Sequence, residues 1–373
     1  MRGYFIIIFL FLSFNIWADS SSISQFPHPL VLDENIEEAK LSAFCGVFME
    51  ENEVLDVKKL HTQNRTLFQP ITKRFFHRGY FKKKNPLWFT YQLKNNSDKM
   101  LHYFFEIPYS NIDKLQLFSY QDSVLTEGLI TGTSFPFEQR EVPYRHFIYE
   151  LELPPNSLST YYLRVEKDYD ELFLPFKLTA PRIHAHNATH LMLLDGLFYG
   201  FWCTILLVAV FVAIWLRLKI YVVYAIMMAS TLLFHLGDGG LGFELIWSES
   251  FWFQLRARSL ASFISQGAFI LFIIYFFNTN FKRYPILHPL SWGIFWVYAL
   301  LTIYTLFFKD AAFLPSNDFF VQVFIINILL LIVVGFGVII KAAFLKHPGA
   351  WWFLSAFIFP VAGCLVLALR NAD

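Results

Sequence analysis

Leu87-Trp88-Phe89-Thr90-Tyr91-Gln92-Leu93-Lys94-Asn95 decides the fold of the N-terminal half. Leu87, Phe89, Tyr91 and Leu93 alternate with Trp88, Thr90, Gln92 and Lys94, and a period of two buries one face of a β-strand. The same alternation returns in 101–107, 114–120, 146–153, 160–165 and 172–178. Turn-forming pieces such as Asn95-Asn96-Ser97-Asp98 and Pro154-Pro155-Asn156-Ser157 separate these runs. Many short strands with polar turns predict a β-sandwich or jelly roll. Residues 33–84 are less regular, acidic at 50–56 and basic at 82–84, and read as a lead-in whose strands complete the edge of the sandwich.

Beyond residue 190 the pattern changes. Apolar stretches of spanning length follow one another at 192–216, 220–238, 259–277, 288–308, 319–340 and 350–369, each long enough to cross a bilayer as a helix. At the other end, Met1-Arg2 precedes the apolar run Tyr4 to Phe14, and Ala18 supplies a small residue at a cut, the layout of a secretory signal peptide over 1–18. The links between spans alternate in charge. Links one, three and five hold Arg217, Lys219, Lys282, Arg283, Lys341 and Lys346 with no acid. Links two and four set Asp238, Glu244, Glu249, Asp310 and Asp318 against Arg256, Arg258 and Lys309. The positive-inside rule puts the odd links in the cytoplasm, the topology that export of residues 19–187 also requires.

Composition narrows the function classes. The chain has 373 residues, 56% hydrophobic and 16% charged, with a net charge of +1. Of its 59 charged side chains, 41 lie between Asp19 and Asn187, so the membrane half is nearly uncharged. No basic patch suggests a nucleic-acid partner. Cys45, Cys203 and Cys364 cannot build a disulfide framework, and no CxxC, HExxH or clustered His and Cys pattern suggests a metal or another cofactor. There is no nucleophile elbow, no phosphate-cradling glycine loop and no ordered Ser, His and Asp set, so no enzyme is predicted.

Several motifs, in order, carry a resemblance. The exported half holds Phe68-Gln69-Pro70, Leu87-Trp88-Phe89 with Leu93 and Asn95, Ile112 to Leu117, Gly132, Arg140, and Tyr161-Tyr162-Leu163-Arg164-Val165. The membrane half holds Asp195 to Gly200, Tyr221 to Tyr224, and Gly237-Asp238-Gly239-Gly240-Leu241-Gly242 through Trp247. In this order and topology the chain resembles the bacterial seven-transmembrane receptors with diverse intracellular signalling modules, in the version with a type 2 extracellular domain. The resemblance implies a jelly-roll sensor domain, similar to carbohydrate-binding modules, coupled through a helix bundle to a cytoplasmic output such as a kinase, cyclase or phosphatase. It also implies a homodimer formed through that output. The chain departs from the pattern in showing six spans, with the seventh helix and the output domain missing after Asp373.

The expected fold is therefore an exported all-β jelly-roll or β-sandwich domain over 19–187, followed by an all-α transmembrane helix bundle over 188–373. The expected setting is a bacterial inner membrane, with the lipid bilayer as a partner. Strand parity turns Trp88 away from the core. His102, Phe104 and Glu106, and Tyr162 and Arg164, likewise fall opposite their own apolar sets. Together they would give one sheet face flat rings and hydrogen-bonding groups, the composition a carbohydrate-binding face needs. The competing reading covers Trp88 with the lead-in segment. Arg140 either holds an acidic ligand group or pairs with Glu138, Glu141 or another acid. Asp195, His235 and Asp238 gather at the outer rim of the bundle, where they could join the exported domain to the helices, line a small polar pocket, or simply be solvated at the interface. Gln266 and Asn327 lie deeper, as interhelical hydrogen-bonding residues. The expected function is a sensor input that binds a small extracellular ligand, with carbohydrate the leading candidate. The alternative is a transporter or structural membrane protein whose exported domain only scaffolds, against which the uncharged helix centres weigh.

Overall fold

The computed structural model describes residues 28–50, 56–63, 67–72, 75–78, 85–121, 124–167, 172–307 and 317–356. The expected leader at 1–18 and most of the expected span 350–369 lie outside them. Among the described residues the N-terminal half is a β domain of thirteen strands and one short α-helix. In chain order they are β1 (Leu30–Leu32), β2 (Glu38–Lys40), β3 (Gly46–Met49), α1 (Val57–Gln63), β4 (Gln69–Pro70), β5 (Phe76–Arg78), β6 (Leu87–Asn95) and β7 (Leu101–Ile107). There follow β8 (Lys114–Gln121), β9 (Val124–Glu127), β10 (Phe147–Leu153), β11 (Leu158–Glu166), β12 (Leu172–Leu174) and β13 (Lys177–Thr179).

These strands form a seven-stranded sheet in the order β4-β3-β6-β11-β8-β9, with β1 parallel beside β6, and a four-stranded sheet ordered β10-β7-β13-β2. β5 and β12 make a separate pair. The two larger sheets stack as a sandwich over one apolar core. From β6 come Leu87, Phe89, Tyr91 and Leu93, and from β11 Tyr161, Leu163 and Val165. The facing sheet supplies Leu101, Tyr103, Phe105 and Ile107 from β7, and Phe147, Tyr149, Leu151 and Leu153 from β10. Tyr91 stacks on Tyr161 at 5.0 Å and meets Phe105 across the core at 4.8 Å, separations typical of packed aromatic pairs. The run 172–178 is two strands in different sheets rather than one, because Pro175 breaks the ladder between Leu174 and Lys177.

β6 is buried on both faces. On its outer side Trp88 is 1% exposed, covered by α1 through Val57 and Leu60 and flanked by Phe68, Phe118 and Tyr162. The lead-in thus covers Trp88, as the competing reading had it, and the open face that strand parity suggests is closed at this position.

Helices follow without a linker. α2 (Pro181–Leu216) begins two residues after β13 ends, eleven residues before the predicted span, because the polar run to His190 is helical although too polar to count as membrane. Pro181 occupies the first helical position, where its missing N–H costs nothing. Arg217, in left-handed conformation, ends the helix. Next come α3 (Lys219–Asp238), the short α4 (Leu241–Leu245), α5 (Phe251–Phe276), α6 (Leu287–Phe307) and α7 (Asn317–Phe344). Among the described residues five helices are long and apolar enough to cross a membrane, against the six predicted from sequence. Inside the bundle Gln266 accepts from the Tyr298 hydroxyl, and the Asn327 amide reaches the Ile294 carbonyl at 3.4 Å, both between helices.

Trp88→Ala should destabilise the β domain by about 3–5 kcal/mol, the usual cost of deleting a fully buried large aromatic. The check is chemical denaturation of the full chain followed through the β domain. Trp88→Phe should recover most of the loss if packing under α1, rather than the indole N–H, carries it.

Candidate functional site

The residues picked out by strand parity fall into two groups on opposite outer faces of the sandwich. Trp88, Tyr162 and Arg164 share the outer face of the larger sheet, with Arg164 directly opposite Trp88 and Tyr162 opposite Thr90 in the β6–β11 register. The indole Nε1 of Trp88 donates to Glu50 at 2.9 Å, Arg164 lies 3.7 Å from the same carboxylate, and its guanidinium also pairs with Glu166. From α1, His61 stacks on Tyr120 with ring centroids 3.7 Å apart, and its Nδ1 lies 3.0 Å from the Tyr162 hydroxyl. Glu50, His61 and Tyr120 are members that the sequence reading missed. α1 carries no strong periodic signal, and nothing in its order of residues says which strand it will cover.

His102, Phe104 and Glu106 are on the smaller sheet, so the single face holding all of these groups does not exist. His102 is exposed, 3.8 Å from Glu152. Phe104 and Glu106 turn toward the bundle.

There the β domain docks on the helices. β13 pairs with β7 so that Lys177 lies opposite Glu106, and the chain then enters α2 within two residues. That register carries His184, one turn into α2, back over β7. Its Nδ1 lies 3.4 Å from one Glu106 oxygen, while His146 Nδ1 lies 2.9 Å from the other. Tyr144 sits edge-on to both imidazoles. About three turns further along α2, Asp195 accepts a hydrogen bond from Arg145. The charge of Arg145 also favours the ionised carboxylate of Glu244 in α4. Ser110 donates to the Gly239 carbonyl at 3.0 Å. Gly240 follows with φ +78°, and a Cβ there would stand 2.6 Å from the Ser110 Cβ, so only glycine lets the α3–α4 link approach the β domain this closely.

Arg140 closes the seam. It is 7% exposed, and its Nη1 donates to the carbonyls of Tyr144 and Arg145, both at 2.7 Å. The guanidinium lies over the rings of Phe137 and Phe147 in the β domain and of Phe243 in α4, at 4.6, 4.3 and 5.7 Å. Neither Glu138 nor Glu141 forms an ion pair with it among the described residues, and Glu141 instead accepts from the Glu150 backbone N–H. Arg140 is therefore a pin between rings of two bodies, not half of the predicted local ion pair.

Of the rim residues, Asp195 joins the β domain to α2. Asp238 pairs with Arg258 of α5 at 3.1 Å, and His235 packs its ring against Phe198 and Trp202 of α2. The last two hold helices to each other. Tyr144, Arg145, His146, His184, Phe243 and Glu244 complete the seam and were not foreseen. A signal existed in the consecutive Tyr144-Arg145-His146, three hydrogen-bonding groups at a strand entry with no apolar partner in sequence.

Burial penalises the Glu106 carboxylate, but the hydrogen bonds and charges of His146 and His184 outweigh that penalty and pull its pKa down to about 2. Burial pulls the Arg140 guanidinium down to about 9, opposed by Glu244 and Tyr149. Burial likewise raises Glu244, opposed by Arg145 and Arg140. The seam is thus a set of desolvated charges, each held by partners from the other body, and such groups penalise any arrangement that separates them.

Fold and seam define a multi-pass membrane protein whose β domain is locked onto the head of its helix bundle. Two models of one family match consecutive parts of it: the 7TMR-DISM extracellular 2 domain over residues 43–180, and the 7TM diverse intracellular signalling region over 191–373. The chain belongs to this family of seven-transmembrane receptors with diverse intracellular signalling modules, and is a membrane sensor. No curated protein matches the sequence.

Arg145→Ala and Asp195→Ala, alone and combined, should give a coupling energy of about 1–3 kcal/mol in a double-mutant cycle, read from hydrogen exchange across 141–146. For Glu106 the folded value lies below the ordinary 4.5. Its contribution, on the order of 3 kcal/mol, is therefore full above about pH 4.5 and lost as the pH falls toward 2. Exchange protection of the α2 N-terminus should fall over that window in the wild type and stay flat in Glu106→Gln.

Proposed function

We propose that the β domain lies outside the cytoplasmic membrane, binds a small extracellular ligand of the carbohydrate class, and relays its arrival through the seam to the helix bundle and on to a cytoplasmic output module. The observation that carries this reading is the seam itself. The β domain bears at once on α2, on the α3–α4 link and on α4, so a change in the sandwich is passed to three elements rather than absorbed by a flexible linker. Binding shifts the bundle only in so far as the ligand prefers one of its arrangements.

The leading binding region is the aromatic cluster at the edge of α1. It places the half-buried rings of Tyr120 and His61 beside Arg164 and Glu166, with Tyr162 and Glu50 buried behind them, combining ring surface with donors and acceptors for hydroxyl groups. His102 with Glu152 offers fewer groups, and Arg140 is buried in the seam, where its Nη1 donates to two backbone carbonyls.

Full-length protein in lipid nanodiscs, titrated with a panel of neutral and uronic-acid oligosaccharides, tests the reading. A binding sugar should alter hydrogen exchange at the far end of α2, around Leu216 to Lys219. Arg164→Ala should weaken binding on the order of tenfold or more. Arg145→Ala should leave binding intact and reduce the far-end response. Binding with no bundle response would remove the relay, and a solute flux through reconstituted protein would favour a transporter.

A further inference from the structure

α2 is longer than a bilayer needs. Its 36 residues span about 54 Å at 1.5 Å per residue, against roughly 30 Å of hydrocarbon, so its first turns stand clear of the membrane beside the β domain. These turns carry His184, His186 and His190. His184 faces Glu106 in the seam. His186 and His190 lie about 200° and 240° further round the helix at 100° per residue, on the side away from the seam. Both are exposed, and their rings lie together, with centroids 4.5 Å apart at an interplanar angle of 75°.

We infer that His186 and His190 form a chelating site for a divalent late-transition-metal cation, copper(II) or zinc(II), on the root of the first membrane helix. Two imidazoles four residues apart on one helical face can direct ring nitrogens at a single ion, with metal–nitrogen distances of about 2.0–2.1 Å. The helix holds both backbones in place before the ion arrives, so little ordering is needed on binding. Imidazole is a ligand for both ions, and at a site of given geometry copper(II) binds more tightly than zinc(II). Among the described residues no group of three or more metal-binding side chains surrounds the pair. Asp195, the nearest carboxylate along the helix, is engaged by Arg145. The ion would keep water in its remaining positions and exchange readily, as a reported signal does and a structural ion does not. Arg182, four residues before His186 on the same face, is the one cation close in sequence that opposes occupancy.

A bound ion would staple one turn of α2 directly behind the turn that His184 docks on Glu106. It would therefore stiffen the segment that joins the two halves of the protein. This inference rests on the His pair alone and stands apart from the proposed carbohydrate reading.

The test uses full-length, tag-free protein in nanodiscs, stripped with chelator and titrated with copper(II) under electron paramagnetic resonance. The expected result is one site per chain with a spectrum of two equivalent imidazole nitrogens, displaced only by a large excess of zinc(II) and lost on acidification. His186→Ala and His190→Ala should each weaken binding on the order of tenfold or more and leave a one-nitrogen spectrum. His28→Ala, at an exposed imidazole outside the pair, should change nothing. Equal uptake by the wild type and the His186→Ala, His190→Ala double variant, or a one-nitrogen spectrum in the wild type, would overturn the site.

Discussion

Between Thr179, the last residue of a strand bonded on both sides within a sheet, and Pro181, the first residue of a helix 36 residues long, there is one residue. That lack of slack is the constraint on which the rest of the structure depends. β13 cannot shift without breaking its ladders to β7 and β2, and α2 cannot rotate freely while its first turn is fixed to β13. The side chains that face each other across the joint are consequently determined by sheet register. Lys177 opposite Glu106 puts His184 over the carboxylate, and the helical repeat then delivers Asp195 to Arg145.

The sequence reading recovered what has a period. Alternation of two in 87–95 and 101–107 yields the core residues of β6 and β7, because each side chain's face follows from its parity. Runs of apolar residues yield α3, α5, α6 and α7 within a few positions at most ends, because lipid demands a fixed length. Parity says nothing about what covers the outer face. Trp88 therefore reads as an open platform, although seven residues of α1 lie over it. Apolarity likewise stops at the membrane surface, so the extension of α2 back to Pro181 stayed hidden in polar residues that are helical for reasons of connection.

The seam is the part least legible in sequence, and the cause is physical. Its members come from β7, the 128–146 loop region, β10, α2 and α4, and each makes sense only beside the others. Arg140 illustrates this. A lone arginine beside Glu138 and Glu141 reads as a local ion pair, since surface charges usually find near neighbours. In the folded protein its guanidinium is instead enclosed by Phe137, Phe147 and Phe243 and capped by two backbone carbonyls. Phe243 belongs to the bundle, so the environment of Arg140 exists only when the two halves are docked.

Desolvated charges rarely add much net stability, because the loss of hydration offsets the attraction between them. Their value at this seam lies in specificity. An apolar joint between a sandwich and a helix bundle could slide with little penalty. A joint in which Glu106 needs two imidazoles, Asp195 needs Arg145, and Arg140 needs rings from both bodies has few positions that satisfy every group. Any alternative docking that does satisfy them must exchange partners as a set. That discreteness suits a sensor better than rigidity would, since a relay requires a small number of distinct arrangements separated by a modest free energy, and a seam built from exchangeable polar partners supplies them where a smooth apolar contact would give a continuum.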